Sequence, residues 1–130
     1  MTEGRIHLPG TITGDVSQFD PNTPGDIGGW LCSGTFLVPA SAFPNSAVAV
    51  LTDQLYSLVG DQRLIGAPLD KGSIATTGTE GNGLAVRTVT GGAGPFAGYI
   101  GEQRQQFLGF NKSSGVSLRV TFTLRKVTKN

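Results

Sequence analysis

The sequence predicts an all-β protein, a closed antiparallel barrel of eight strands formed by a single domain over residues 1–130. Twenty of the 130 residues are glycine, about double the usual share of ~7%, and glycine disfavours a helix interior by about 1 kcal/mol relative to alanine. The glycines are spread along the chain, so that turn signals recur every ~8–12 residues, as in proteins built from many short strands. Eight strands leave an interior just wide enough for side chains or one small ligand. A β-sandwich is the alternative, since strand count alone does not separate the two folds.

The first half of the chain contains three predicted strands and two short candidates, Gln54–Leu58 and Arg63–Ile65, so that the whole chain has about eight strands. A first strand is broken around Pro9-Gly10, and the cluster Asp20–Gly25 is rich in turn-forming residues. A loop with prolines at both ends, Pro39–Pro44, separates the next two strands. The predicted strands are Arg5–Leu8 with Thr11–Thr13, Trp30–Val38, Ala47–Thr52, Gln54–Leu58 and Arg63–Ile65.

The second half alternates more regularly. Its predicted strands are Gly72–Thr76, Leu84–Thr90, Tyr99–Phe110 and Val116–Val127. Asn111–Gly115 is a predicted hairpin turn, and the last strand alternates strictly between apolar and polar residues. The glycine-rich segment Gly91–Tyr99 is predicted to be a tight connection in which Phe96 closes one end of the barrel. Binding of phosphate by this loop is disfavoured, because the dinucleotide fingerprint requires a helix after it.

Composition excludes several classes of function. The net charge is +1, so no basic stripe is available to neutralise a row of phosphates, and nucleic acid is not expected as a partner. No apolar run approaches the ~20 residues of a membrane span, and the N-terminus lacks the apolar core of a signal peptide. One cysteine and one histidine disfavour a disulfide framework and a zinc site. We expect a cytoplasmic protein without metal or cofactor.

Three segments carry a resemblance to a known family. The run Thr90–Gly101 resembles the glycine signature of the allene oxide cyclase and dirigent-protein superfamily, and Glu102–Phe107 is similar to the polar strand that follows it. Gly25–Cys32 resembles the cyclase stretch whose Gly-Leu-Cys opens a strand of the barrel interior, and Gly14–Asp20 is similar to the segment before it. The resemblance implies a calycin-like eight-stranded barrel with an apolar interior, assembled as dimers or trimers.

The chain also departs from that family. Plant allene oxide cyclases use a glutamate on the first strand to polarise the substrate, whereas Arg5-Ile6-His7-Leu8 contains none. His7 is the nearest titratable replacement. The resemblance therefore implies the fold and not the jasmonate-pathway reaction, because fold alone does not define function.

Three predicted strands supply the candidate site residues. On Tyr99–Phe110 the charged residues Glu102 and Arg104 share one face, which we expect to point outward, so the opposite face points into the barrel. Inward amides are natural donors to a substrate carbonyl or oxyanion, although a satisfied core network is the alternative. The predicted catalytic residues are Cys32, Gln103, Gln105 and His7, and the predicted substrate-binding residues are Trp30, Phe36, Tyr99 and Phe107. Cys32 as a small buried hydrophobe and His7 as a solvent-facing residue are the structural alternatives.

The predicted function is a cyclase or isomerase that needs no cofactor. It would hold a polyunsaturated or polyketide-like small molecule in the barrel and direct its stereoselective cyclisation, mainly by bringing the reactive ends together. A non-catalytic barrel of the dirigent type, or a carrier of lipophilic ligands, is the alternative. A hydrolase or isomerase of an epoxide comes third. Because both faces of several strands are apolar, we expect a homo-oligomer, a dimer or a trimer.

Overall fold

Short segments separated by glycine and proline form nine β-strands in the described residues. The structure is a computed structural model and describes residues 2–46, 48–58, 62–64, 67–69 and 72–127. The strands are β1 Thr2–Ile6, β2 Gly28–Phe36, β3 Val50–Leu58, β4 Gln62–Leu64, β5 Ala67–Leu69, β6 Gly72–Glu80, β7 Leu84–Ala93, β8 Tyr99–Phe110 and β9 Val116–Lys126. The helical segments in these ranges are short 3₁₀ turns at Val16–Gln18, Ala40–Asn45 and Gly94–Phe96. None of them is long or apolar enough to cross a membrane.

Seven of the strands pair into one antiparallel sheet. Its order is β1-β2-β3-β6-β7-β8-β9, so that β1 and β9 form the two edges, and β4 pairs separately with β5. The sheet curls into a half-barrel. Tyr56 on β3 and Phe122 on β9 contact each other edge to face across the interior, with ring centroids 5.0 Å apart. The predicted all-β antiparallel class is confirmed, and the closed eight-stranded barrel remains a prediction.

The apolar core lies on the concave side of this sheet. Tyr56, Ile74 and Val89 are buried there, one each from β3, β6 and β7. Partly buried apolar side chains pack against them from the sheet edges and from the turn before β8; these are Ile6, Trp30, Phe96, Val120, Phe122 and Leu124. Alternation along each strand brings this set to one side, as the period of two requires.

Several predicted strand limits are wrong, and the reasons are local. β3 is continuous where two strands were predicted, because Asp53 is exposed and its charge does not interrupt the pairing. Thr11–Thr13 is not a strand, since the Thr11 amide and hydroxyl both donate to the Leu8 carbonyl and close a turn. Ala47 and Ile65, at the limits of two predicted strands, lie outside the described residues. The predicted limits of β8 agree with the structure.

The glycine-rich connection before β8 folds back onto the core. Gly94–Phe96 forms a 3₁₀ turn, and Phe96 packs against the core cluster. This approach requires glycine nearby. A Cβ on Gly92 would lie 2.6 Å from the Phe96 carbonyl oxygen and 2.7 Å from its Cβ. The sequence signal in this segment therefore reflects close packing of the backbone against Phe96.

Candidate functional site

The concave side of the half-barrel contains a buried network of amides. Gln54 on β3 and Gln103 and Gln105 on β8 are each 3% exposed or less. Glu102 and Arg104 are exposed on the opposite face of β8 and pair weakly with each other at 4.0 Å. The predicted orientation of β8 is therefore confirmed. The two glutamines of β8 meet Gln54 across the interior because the sheet curls.

The hydrogen bonds of this network have a consistent direction. Gln103 Nε2 donates to the Tyr56 hydroxyl at 2.7 Å, to Gln54 Oε1 at 3.1 Å and to Gln105 Oε1 at 3.0 Å. The Tyr56 hydroxyl donates to Gln54 Oε1 at 2.5 Å. Gln54 Nε2 and Gln105 Nε2 in turn donate to Glu80, at 2.8 Å and 2.5 Å. Gln54 Nε2 also donates to Gln105 Oε1 at 3.0 Å. The amides of Gln54 and Gln105 thus both donate to one carboxylate, and Gln103 donates to the oxygens of these two amides.

Glu80, the last residue of β6, receives both donors on the same oxygen. Its Oε2 accepts from Gln54 and from Gln105. Within the described residues, the other oxygen, Oε1, has only a weak contact with the Cys32 thiol, whose sulfur is 3.9 Å away. One oxygen therefore fixes the carboxylate in place, while the other can accept a further hydrogen bond or a proton.

Arg87 on β7 stands at the opposite end of the network. Its side chain is among the largest fully buried ones, and it donates to Gln103 Oε1 at 3.4 Å and to the Thr52 carbonyl at 3.0 Å. Burial lowers the pKa of Arg87, and the negative charge of Glu80 opposes this shift. The ion pairs within 4.0 Å in the described residues are Arg5–Asp26 and Glu102–Arg104. Arg87 and Glu80 are therefore linked through amides rather than by direct contact.

A pocket of about 490 Å³ opens beside Glu80, between β2 and the edge strand β9. Its volume is in the range of small-molecule sites, ≈ 300–1,000 Å³. Most of its wall is apolar, and Cys32, Thr52 and Glu80 are its polar members on the concave face. The lining residues are Thr2, Trp30, Cys32, Gly34, Phe36, Ala40, Ser41, Val50, Thr52, Glu80, Phe110, Ser114, Gly115, Val116 and Leu118.

The Cys32 thiol is not an activated nucleophile. Burial and the neighbouring Glu80 carboxylate raise the pKa of Cys32, against a smaller opposing effect of the Thr52 hydroxyl. A raised pKa keeps the sulfur protonated near neutrality, whereas nucleophilic catalysis requires the thiolate. Cys32 therefore contributes shape and a weak donor to this wall of the pocket.

Three buried polar atoms have no hydrogen-bond partner in the part of the chain that the structure describes. They are Trp30 Nε1, Thr52 Oγ1 and Arg87 Nη1. Trp30 and Thr52 both line the pocket. Both groups still act on buried neighbours, because Thr52 lowers the pKa of Cys32 and Trp30 lowers the pKa of Tyr56.

The structure places the predicted site residues in three groups. Trp30, Cys32 and Phe36 line the pocket, and Gln103 and Gln105 belong to the network that holds Glu80. Phe107 contacts the pocket residue Phe110 edge to face, with ring centroids 5.3 Å apart. These two rings share a side because the register of β8 shifts between Phe107 and Gly109.

Two predicted site residues lie apart from the pocket. His7 follows β1, donates from Nε2 to the Thr23 carbonyl at 3.0 Å and packs edge to face on Phe19. Tyr99 starts β8, half-buried and paired in register with Lys126. Neither residue lines the pocket or joins the amide network.

Sequence reasoning missed Glu80, Gln54, Tyr56 and Arg87. Glu80 lies beyond the predicted end of its strand at Thr76, although the inward positions Ile74 and Thr76 lead to it through Gly78 with a period of two. The apolar neighbours of Arg87 in the sequence led to the wrong expectation for its burial. Leu84 and Val86 are exposed and the arginine is buried, the reverse of the expected polarity for that strand.

A second, shallower cavity of about 350 Å³ lies mainly on the convex face. Outward residues of β2, β3 and β6, including Leu31, Leu55 and Ala75, form much of its wall. Its carboxylate in the described lining is Asp53, which is exposed, and Cys32, Gln54 and Thr76 reach it from the concave face. The concave pocket is the better candidate site on chemical grounds.

Within the described residues, no cluster of three or more His, Cys, Asp or Glu side chains could hold a metal ion. Comparison of the chain with protein-family models, with curated proteins and with solved structures found no match.

Proposed function

We propose that the half-barrel binds an apolar, polyunsaturated or polyketide-like small molecule in the concave pocket and directs its stereoselective cyclisation without a cofactor. One observation carries this proposal. Glu80 lines an apolar pocket with one oxygen held by two amides, and the partner of the other oxygen among the described residues is the weak donor Cys32. A fixed carboxylate at an apolar wall is suited to general base catalysis.

The proposed reaction is an internal rearrangement that leaves the mass unchanged. Glu80 Oε1 takes a proton from an O–H or an activated C–H of the bound molecule. The electron pair left behind forms the ring bond with an electrophilic carbon of the same molecule. The proton then returns from Glu80 to the atom that has gained electron density, so no oxidant or reductant is needed.

The apolar wall supplies the stereochemical control in this proposal. Trp30, Phe36 and Leu118 approach the pocket from two different strands, so a flexible chain must fold between them. Holding the two reacting ends together removes orientational freedom, an effect worth up to about 7–11 kcal/mol in favourable cases. The closed eight-stranded barrel belongs to the same proposal, since Thr2 on edge strand β1 and Leu118 on edge strand β9 line one pocket.

A binding protein without catalysis is the second candidate. The charges of the pocket wall favour this candidate. Glu80 is the only Asp, Glu, Lys, Arg or His in the described lining, so the wall has no second ionised side chain there. A dirigent-type protein or a carrier of lipophilic ligands would need the shape and the anchor, and no proton transfer.

Product analysis with a matched pair of variants tests the proposal. Wild-type protein, Glu80→Gln and Glu102→Gln are incubated with linear polyunsaturated epoxides and linear polyketide analogues. Products of unchanged mass are then separated by chiral chromatography. We expect one enantiomerically enriched cyclic isomer from wild type and Glu102→Gln, and at least about a hundredfold lower rate from Glu80→Gln, as for loss of a general base.

Binding measured on the same three proteins separates the alternatives. Ligand binding without any product in the wild type would support the non-catalytic candidate. Equal product formation by Glu80→Gln and wild type would contradict the role of the carboxylate. No binding of any apolar compound would remove both candidates.

A further inference from the structure

We propose that the concave pocket selects a neutral ligand whose polar head donates a hydrogen bond, such as an alcohol or an enol, over a carboxylate or an ammonium of equal length. This inference rests on the proposed function, since it specifies the class of molecule that the same pocket takes. It follows from the direction of the buried hydrogen bonds and from the balance of charge beneath the pocket.

The two ends of the network determine how every amide is oriented. Arg87 can only donate, and its Nε donates to Gln103 Oε1. An ionised carboxylate can only accept, and Glu80 Oε2 accepts from Gln54 Nε2 and Gln105 Nε2. The amide of Gln103 donates to the oxygens of both intermediate glutamines. The chain of dipoles thus runs from a cation to an anion without reversal.

This arrangement compensates the buried charge of Arg87 with the half-buried carboxylate of Glu80. Arg87 is buried with no ion pair within 4.0 Å in the described residues. The aligned amide dipoles connect its positive charge to the negative charge of Glu80. A buried charge is costly unless it is compensated. With Arg87 and Glu80 in place, the site has no net charge, and adding a charged ligand would leave one charge uncompensated.

The two kinds of charged head are disfavoured for different reasons. A carboxylate would meet Glu80 Oε1 as a like charge, and the donors on that wall in the described residues, the Cys32 thiol, the Thr52 hydroxyl and the Trp30 indole N–H, are all neutral. An ammonium would pair with Glu80 but would compete with Arg87 for its negative charge. A neutral O–H can donate to Glu80 Oε1 without either penalty, and a hydrogen bond to a charged acceptor is stronger than one between neutral groups.

Four probes of ten carbons isolate the effect of the head group. The ligands are decan-1-ol, decanoate, decylammonium and decane, measured by displacement of a neutral fluorescent dye from the full chain. The proteins are wild type, Glu80→Gln and, as the matched control, Glu102→Gln on the exposed face of β8. Thermal unfolding of each variant confirms that it is folded.

We expect wild type and Glu102→Gln to bind decan-1-ol at least about tenfold more tightly than either charged probe and than decane. In Glu80→Gln the advantage over decanoate should fall by at least about tenfold, because the like charge is gone. Preference for decanoate or decylammonium, or an order that Glu80→Gln leaves unchanged, would overturn the inference. Equal binding of all four probes would overturn it while leaving the apolar pocket intact, whereas binding of none would contradict the proposed function itself.

Discussion

Gln103 is the fully buried residue that links Arg87 to the rest of the amide network. It is 0% exposed, it accepts from Arg87, and it donates to Tyr56, Gln54 and Gln105. An amide in this position stabilises the fold chiefly because its partners have no water to replace it. The same residue is the link between the two charges, so stability and site geometry depend on it together.

Gln103→Leu should therefore destabilise the protein by about 3 kcal/mol, since it leaves Arg87 Nε and the glutamine oxygens short of partners in the interior. Gln106→Leu, at an exposed position of the same strand, is the control and should change the free energy of unfolding by less than about 0.5 kcal/mol. Denaturant unfolding measures both. Similar values for the two variants would mean that the network contributes little to stability.

Tyr56 makes the free energy of unfolding depend on pH in the alkaline range. Burial raises the pKa of its phenol above the ordinary value of 10.0. Below pH 10.0 both the folded and the unfolded states are protonated, so the contribution is fully present there. As the pH rises further the unfolded state loses its proton first, and the free energy of unfolding decreases.

The wild type should lose more unfolding free energy between about pH 8 and about pH 11 than Tyr56→Phe, which has no phenol to ionise. The variant is expected to be less stable at the lower pH, because its hydrogen bonds to Gln54 and Gln103 are gone. Denaturant titrations at both pH values provide the comparison. Parallel losses in the two proteins would show that Tyr56 ionises as easily in the folded state as in the unfolded state.

At the scale of elements, the connection between β7 and β8 shows how glycine permits packing. Phe96 covers the core only because the backbone of Gly92 lies against it. Gly91, the preceding residue, has no atom within 4 Å of the position where its Cβ would lie. Gly91 and Gly92 are adjacent residues of β7. Alanine substitutions at these two positions therefore differ mainly in the space around the new Cβ.

Gly92→Ala should destabilise the protein by about 1–3 kcal/mol through overpacking against Phe96, whereas Gly91→Ala should be close to neutral. The melting temperature of the two variants tests this difference. If Gly91→Ala proved the more damaging substitution, the close approach of Phe96 to Gly92 would not be the reason for this glycine.

Strands whose charged residues all lie on one face were predictable from sequence. Strands with buried polar residues and exposed apolar residues were not. β8 has both charges on one side, and this predicted its orientation correctly. β3 places Thr52 and Gln54 inward and Leu51 and Leu55 outward, so polarity gives the wrong face. The inward polar residues are stabilised by partners on distant strands, information that alternation along one strand does not contain. Glu80 and Arg87 were not predicted to be inward residues for the same reason.

At the scale of the molecule, the convex face leaves large apolar side chains exposed. Leu31 on β2 and Leu55 on β3 are directly opposite each other in register, and Leu51 is 49% exposed nearby. Contiguous apolar residues on a surface commonly mark a contact with another protein. We predict that the chain forms a dimer or trimer through this face.

Light scattering at micromolar concentration should give a particle of two or three times the chain mass of 13.5 kDa. Leu55→Arg should shift the population towards the monomer, because a charge would be buried in the contact, and Thr121→Arg on β9 should leave it unchanged. A wild-type particle of 13.5 kDa would rule out this assembly.

The position of a bound neutral molecule tests most directly whether the concave pocket beside Glu80 is the ligand site. Nuclear Overhauser contacts between decan-1-ol and the methyl groups of the full chain distinguish the two cavities, because their aliphatic residues differ. We predict contacts to Val50, Val116 and Leu118, with the hydroxyl end nearest Glu80. Contacts confined to Leu31 and Leu55 on the convex face, or no contacts at saturating ligand, would contradict it.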